Sequence, residues 1–141
     1  MKARRHARMV ALQVLYEVDS TTHPPATVLA HRLSEDPLPS TGEDFARKLV
    51  EGVIEHLTAL DDMIRRYAPE WPLDQMAVVD RNILRIAIYE LGPGQCSPLK
   101  VAINEAVELS KLFGSESSAR FINGVLGTLV EHESGRVPGQ V

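Results

Sequence analysis

The chain has 141 residues, of which 44% are hydrophobic and 24% charged, so it can bury a core of its own as a single domain. Its formal net charge of −4 argues against general affinity for polyanions, and its single cysteine, Cys96, excludes an intrachain disulfide. No apolar run approaches the roughly 20 residues of a membrane-spanning helix, so we expect no membrane association and a location in the reducing cytoplasm.

Basic side chains are concentrated at the start of the chain. Residues 1–8 carry no carboxylate, and their cations are Lys2, Arg4, Arg5 and Arg8. A helix N-terminus already bears partial positive charge, so arginines there oppose helix stability unless an anion such as phosphate binds them. The segment therefore indicates a local anion-binding surface, and the alternative is an arm that only keeps the protein in solution. It lacks the long apolar stretch and the cleavage site of a targeting peptide.

The apolar spacing is helical along nearly the whole chain. In the first half it predicts helices at residues 4–19, 26–34 and 40–69. Ser40 and Glu43 have the spacing of a capping box, so the third helix is expected to begin at Ser40. Its apolar stripe, which ends with Tyr67, is the strongest periodic signal in the chain.

A turn with Pro69 and Pro72 divides the chain near its middle. After it, the pattern predicts a short helical turn at 73–76 and helices at 78–91, 98–113 and 117–132. The helix at 78–91 is apolar on most sides, which is typical of a central, buried element. Ser97 is expected to cap the next helix and Pro98 to open it. Because no alternating strand pattern occurs, the predicted fold class is all-α, with about seven helices.

The central turn also predicts the domain organisation. Two small helical bundles, at about 1–68 and 69–133, are expected to share one interface and to form a single domain over 1–133. Neither half is large enough to be an independent domain. Residues 134–141 are expected to be a flexible tail.

Motifs of catalysis are missing from the sequence. None of the histidines pairs at metal-binding spacing, and there is neither a phosphate loop nor a dinucleotide-binding glycine motif. Asp61 and Asp62 are interpreted as solvated surface charges, and Cys96 has no neighbour that would activate it. The sequence therefore predicts a protein that is not an enzyme and holds no cofactor or metal.

Three segments of the second half carry a specific pattern, namely 80–91 (DRNILRIAIYEL), 101–114 (VAINEAVELSKLFG) and 120–127 (RFINGVLG). In this order and spacing they closely resemble the NusB family of transcription antitermination factors. The resemblance extends to 4–8 (RRHAR), to Leu15-Tyr16 and to 71–74 (WPLD), and it covers the whole chain except the tail.

The resemblance implies an all-helical RNA-binding protein made of two three-helix bundles. Members of the family pair with the ribosomal protein NusE and bind the single-stranded boxA element of nascent RNA. The complex helps to modify RNA polymerase so that it reads through terminators, notably on ribosomal RNA operons. The family acts in transcription regulation and is not enzymatic.

Seven residues are candidate RNA contacts, and they are Arg4, Arg5, Arg8, Tyr67, Arg120, Phe121 and Gly124. Arg4 and Arg8 are four residues apart, so one helical face would present them to successive phosphates. Phe121 is the candidate platform for base stacking, with a place in the core as its alternative. For Tyr67, a place in the core and a contact with RNA are equally expected. For Gly124 and Gly127 close helix packing is the expected role, and close approach of the RNA backbone at Gly124 is the alternative.

For the protein partner, the resemblance transfers Tyr16, Asp74 and Asp80 as candidate contacts. Helix capping or an ion pair with Arg81 is the structural alternative for either aspartate. The sequence departs from the family at Ser117, where an aspartate is familiar, so contacts there are expected to differ in strength.

Two other functions remain open, and so does the oligomeric state. NusB-like domains also occur fused to RNA cytosine-5 methyltransferases, which would make the chain the targeting part of an enzyme. Such an enzyme needs an S-adenosylmethionine-binding domain and catalytic cysteines, which these 141 residues do not contain. The third reading is a structural adaptor without RNA binding. The sequence does not decide between a monomer and a homodimer.

Overall fold

The computed structural model describes residues 2–133 and is all-α over that range, which confirms the predicted fold class. The helices are α1 (Lys2–Ser20), α2 (Pro25–Glu35), α3 (Ser40–Glu55), α4 (Leu57–Tyr67), α5 (Val78–Leu91), α6 (Leu99–Phe113) and α7 (Ser118–Glu133), with a 3₁₀ turn at Leu73–Gln75. The predicted tail at 134–141 lies outside the described residues. No helix within 2–133 is long and apolar enough to cross a bilayer.

Helix α5 is the centre of the molecule. It packs against α1, α3, α4, α6 and α7, and most of its side chains are buried, as its apolar pattern predicts. The helix ends where the sequence indicates, because Gly92 follows it and the Gly92 N–H bonds to the carbonyl of Ile88. The other helices are arranged around this buried helix.

The first three helices pack on one another, with α1 against both α2 and α3. On the other side, α6 and α7 form a close pair that also contacts α5. Helix α4 precedes the turn at 69–72 in the chain, yet it packs mainly on α5 and α7. The division into bundles at 68/69 stays a prediction.

The single long helix predicted over 40–69 is wrong. His56 interrupts it with φ −104° and ψ 19°, and its backbone N–H bonds to the carbonyl of Gly52. The apolar stripe nevertheless continues across the break, since Leu49, Val53 and Leu60 are all buried. The periodicity therefore looked continuous where the backbone is not.

Two predicted caps are also wrong. Pro39 rather than Ser40 is the N-cap of α3, without a side-chain capping bond, and Glu43 pairs instead with Arg47 at 3.1 Å. Similarly, Pro98 and not Ser97 is the N-cap of α6. The hydroxyl of Ser97 is engaged elsewhere, in the buried ion pair described below.

Candidate nucleic-acid interface

Arg4 lies exposed near the start of α1 and is held in place by two contacts. One guanidinium nitrogen donates a hydrogen bond to the carbonyl of Cys96 at 2.9 Å. The guanidinium carbon lies 4.4 Å from the ring centroid of Phe45, a cation–π distance. Arg4 forms no ion pair with any residue in 2–133, so its charge remains available to an external anion.

Arg5 is half exposed and forms a two-pronged ion pair with Glu105 of α6. Its Nε and Nη2 donate to the two carboxylate oxygens at 3.0 and 2.7 Å. The hydrogen bond from Arg5 lowers the pKa of Glu105, although burial of that carboxyl opposes the shift. Arg5 is thus fixed in direction and keeps one exposed side.

Arg8 does not face solvent, contrary to the expected arginine ladder. It is only 1% exposed, and its Nε and Nη2 donate to Glu90 at 2.9 and 2.7 Å. Nη2 also donates to Ser97 Oγ at 3.1 Å, and the Ser97 hydroxyl donates in turn to Glu90. Arg4 and Arg8 do share a helix face, since both lie over Phe45, but only Arg4 reaches the surface.

Arg120 and Phe121 open α7 and lie at a surface cleft of about 410 Å³. The cleft is lined by Trp71, Gln75, Met76, Ala77, Asp80, Ser115, Ser117, Arg120 and Phe121. Phe121 is half-buried and packs against the core while it lines the cleft, so the two alternatives for this residue are compatible. Arg120 is exposed and has no ion pair within the described part of the chain.

The outer face of α7 carries two open glycines. Apart from its chain neighbours and the local backbone of α7, a Cβ at Gly124 or Gly127 would meet no atom of the described structure within 4 Å. The expected helix–helix packing at these glycines is therefore wrong. Approach of an external backbone at Gly124 is the alternative that the geometry leaves.

Tyr67 ends α4 at its contact with α7. Its hydroxyl donates to Glu133, which also accepts from Arg66 at 3.1 Å. The ring of Tyr67 lies 5.9 Å from that of His132. The residue is half-buried, so one part of the ring is engaged in the fold and another is open.

The candidate partner contacts are in different surroundings. Tyr16 is 46% exposed and lies at a second cleft of about 470 Å³, beside Val79 and Phe113. Asp74 is exposed in the 3₁₀ turn. Asp80 is buried and lines the cleft of Arg120 and Phe121.

Arg81 does not pair with Asp74 or Asp80, and neither aspartate makes a side-chain capping bond, so both structural alternatives for them are wrong. Its guanidinium donates to both oxygens of Asp19 at 2.7 and 2.9 Å. Burial raises the pKa of Asp19, but the hydrogen bonds from Arg81 and Asn82 and the charge of Arg85 outweigh it and lower that pKa below its ordinary value.

This cluster continues to Asp61, which sequence reasoning missed. Arg85 donates to Asp61 through Nε and Nη2 at 2.7 and 3.0 Å, and Asp61 is buried rather than solvated. Its spacing from the buried Leu60 and Ile64 on α4 was the available signal, since Asp61 is adjacent to that stripe. Within 2–133 no cluster of three metal-ligating side chains occurs.

These features define a class of protein, a small all-α fold that presents arginines and an aromatic cleft on its surface. A sequence model of the NusB family matches residues 5–131. The chain belongs to the NusB family.

Similar proteins cover almost the whole chain. The transcription antitermination protein NusB of Roseiflexus sp. (strain RS-1) is 51% identical over 96% of this chain and 97% of its own length. That of Dehalococcoides mccartyi (strain CBDB1) is 47% identical over 90% of this chain and 89% of its own. These relatives are named for a regulatory role in transcription and not for a reaction.

Solved structures share the fold. A structure of T. maritima NusB matches with a TM-score of 0.84 at 34% identity, over 91% of this chain and 90% of that chain. A crystal structure of antitermination factors NusB and NusE in complex with dsRNA matches with a TM-score of 0.86 at 26% identity, over 94% and 98% of the two chains.

Proposed function

We propose that this protein is a transcription antitermination factor that binds single-stranded boxA-type RNA together with the ribosomal protein NusE. In this role it joins the antitermination complex of RNA polymerase in the cytoplasm and promotes read-through of terminators, notably on ribosomal RNA operons. The observation that carries the proposal is the cleft lined by Phe121 and by Arg120, which has no ion pair among the described residues. Single-stranded RNA is held by this combination of cations and stacking platforms.

The RNA contacts follow from exposure. Arg4, Arg5 and Arg120 reach solvent and are assigned to phosphates, while Phe121 stacks on a base. Gly124 admits the RNA backbone because no side chain covers it. The open part of the Tyr67 ring is a further contact. Arg8 is assigned a positioning role instead, because its buried pair with Glu90 fixes the helix that carries Arg4 and Arg5.

The protein partner is assigned to a neighbouring surface. Tyr16 offers a large exposed ring beside the apolar side chains of Val79 and Phe113, and such rings anchor protein interfaces. Asp74 adds an exposed negative charge for a basic partner. The crystal structure of a related NusB with NusE and dsRNA supports NusE and RNA as partners of this chain.

The test compares boxA RNA with a scrambled sequence, using the purified protein with and without NusE. We expect preferential binding of boxA RNA that becomes tighter when NusE is added. Phe121→Leu keeps an apolar side chain against the core but removes the ring, so it is expected to weaken binding by about 1–3 kcal/mol without unfolding the protein.

Arg120→Ala is expected to weaken RNA binding, and Arg47→Ala is its matched control, because Arg47 is an exposed arginine of α3 outside the proposed surfaces. Equal affinity of the wild-type protein for boxA and scrambled RNA, both with and without NusE, would refute the proposed function. Equal effects of the two arginine variants would remove Arg120 from the site.

A further inference from the structure

The loop between α5 and α6, residues 92–98, carries a lysine whose charge is not neutralised. Lys48 of α3 is exposed, and its Nζ donates a hydrogen bond to the carbonyl of Gly94 at 3.2 Å. It forms no ion pair with any residue in 2–133, although Asp44 and Glu51 lie one turn away on the same helix. The carbonyl is neutral and accepts only one of the three N–H donors of the ammonium group. The charge of Lys48 and its other donors therefore remain available to an external anion.

Arg4 and Lys48 lie side by side over this loop. Arg4 donates to the carbonyl of Cys96 at 2.9 Å, and that carbonyl is two residues along the chain from the one that Lys48 contacts. Two residues span at most about 7 Å, so the two bonded carbonyl groups are close together. A second contact links the same cations, because Arg4 lies 4.4 Å from the ring centroid of Phe45, which is one turn before Lys48 on α3.

The loop fixes the positions of the two cations. The Gly94 N–H bonds to the carbonyl of Tyr89 at 2.8 Å. The Cys96 N–H bonds to the carbonyl of Glu90 at 3.3 Å. Each residue that accepts from a cation is thus itself tied to the buried helix α5. Burial raises the pKa of the Cys96 thiol, while the charges of both cations act on that pKa in the opposite direction, so both lie within electrostatic reach of the loop.

Neighbouring cations that lack carboxylate partners match consecutive phosphates of an RNA strand. Arg4 is assigned to a phosphate above, and a strand that passes it would meet Lys48 next. An ammonium group binds phosphate as a point charge and needs no special geometry. We propose that Lys48 binds the RNA phosphate adjacent to the one at Arg4, so that the strand continues over the loop at 92–98. This inference rests on the proposed function, because it extends the path of the RNA beyond Arg4.

The experiment compares wild-type protein with Lys48→Ala, using boxA RNA that carries flanking nucleotides on both sides. One phosphate contact changes the logarithm of the binding constant by about 0.7 per decade of salt. We therefore expect Lys48→Ala to bind about fivefold more weakly at about 0.1 M potassium chloride and to match the wild type near 1 M. A phosphate contact carries no sequence information, so scrambled RNA should lose affinity by the same factor.

Arg47→Ala is the matched control, because it removes one exposed positive charge at the next position of the same helix. Arg47 is paired with Glu43 at 3.1 Å, so its loss should leave RNA affinity unchanged. Lys48→Arg keeps the charge and is expected to retain most of the affinity and its salt dependence. The hydrogen bond of Lys48 is exposed, so the unfolding midpoint of Lys48→Ala should stay close to that of the wild type.

Each other outcome overturns a defined claim. Failure of the wild-type protein to prefer boxA RNA would overturn the proposed function and, with it, this path of the strand. If boxA RNA is preferred but Lys48→Ala keeps the wild-type affinity and salt dependence, the contact at Lys48 alone is overturned. The contact is also overturned if Lys48→Arg binds as weakly as Lys48→Ala, or if Lys48→Ala loses affinity equally at both salt concentrations and unfolds earlier.

Two further results would assign Lys48 to another ligand group. Unequal losses for boxA and scrambled RNA would make it a base contact. Weaker binding of NusE by Lys48→Ala, with unchanged RNA affinity of the protein alone, would make it a protein contact. Either result overturns the phosphate assignment.

Discussion

Arg4 and Arg8 show how the surroundings of a residue, and not its type, decide its role. Both start from one face of α1 and lie over Phe45. Arg8 is aimed at Glu90, so it becomes a buried ion pair, while Arg4 is fixed by a backbone carbonyl and keeps its charge exposed. A sequence shows the two cations at helical spacing, but it cannot show that a carboxylate 82 positions away faces only one of them.

Arg8→Ala is therefore expected to be a stability variant. It would leave the carboxylate of Glu90 buried without its cation, which costs about 3–5 kcal/mol in the free energy of unfolding. Arg4→Ala, the matched control on the same helix, is expected to change stability little and RNA binding more. Denaturant titration of the two variants measures the difference. Equal stability of both would contradict the buried pair.

Asp19 predicts a dependence of stability on pH. Because its pKa is lowered on folding, its contribution is complete above the pKa of an unfolded aspartate, about 4, and is lost as pH falls through the folded value. Asp19→Asn should thus be less stable than the wild type at pH 7, with a difference that shrinks below about pH 4. Unfolding curves at pH 7, 5 and 3 test this. A difference that is constant across that range would contradict it.

At the scale of the helices, apolar periodicity combined with glycine and proline predicted most of the architecture. The bounds of α5 agree with the prediction because Gly92-Pro93 ends an apolar run sharply. The break between α3 and α4 was missed because His56 is neither glycine nor proline and the buried stripe passes through it. Periodicity reports which face is buried and is insensitive to a local turn that preserves that face.

Replacing a helical glycine with alanine is expected to change stability in opposite directions at different positions. Gly124→Ala and Gly127→Ala meet open space, so each should stabilise α7 by up to about 1 kcal/mol. At Gly52 a Cβ would lie 2.1 Å from the Tyr89 ring, so the same substitution should destabilise the protein. Thermal unfolding measures these signs. Of the two stabilised variants, only Gly124→Ala is expected to weaken RNA binding, and equal affinities would remove Gly124 from the RNA surface.

For the whole molecule, the distribution of ion pairs limits where an anion can bind. Arg81 and Arg85 face carboxylates of the same chain, and Arg8 is buried beside Glu90 and Glu105. Arg5 pairs with Glu105 but keeps an exposed side. The basic start of the chain and Arg120 were visible in the sequence as candidate contacts. The sequence could not show which of these arginines are paired with carboxylates, because that depends on contacts between helices that are distant in the chain.

The smaller set of exposed arginines makes a quantitative prediction for salt. Each phosphate contact with single-stranded RNA lowers the logarithm of the binding constant by about 0.7 per decade of salt concentration, so Arg4, Arg5 and Arg120 together predict a slope of about −2. Arg120→Ala should reduce its magnitude by about 0.7, whereas Arg47→Ala should leave it unchanged. Fluorescence anisotropy over a series of potassium chloride concentrations gives these slopes.

A wild-type slope near zero would exclude phosphate contacts by all three arginines, and an unchanged slope in Arg120→Ala would exclude a phosphate contact by Arg120. Since buried Arg8 adds no phosphate contact, the slope also tests whether its pair with Glu90 persists when RNA is bound.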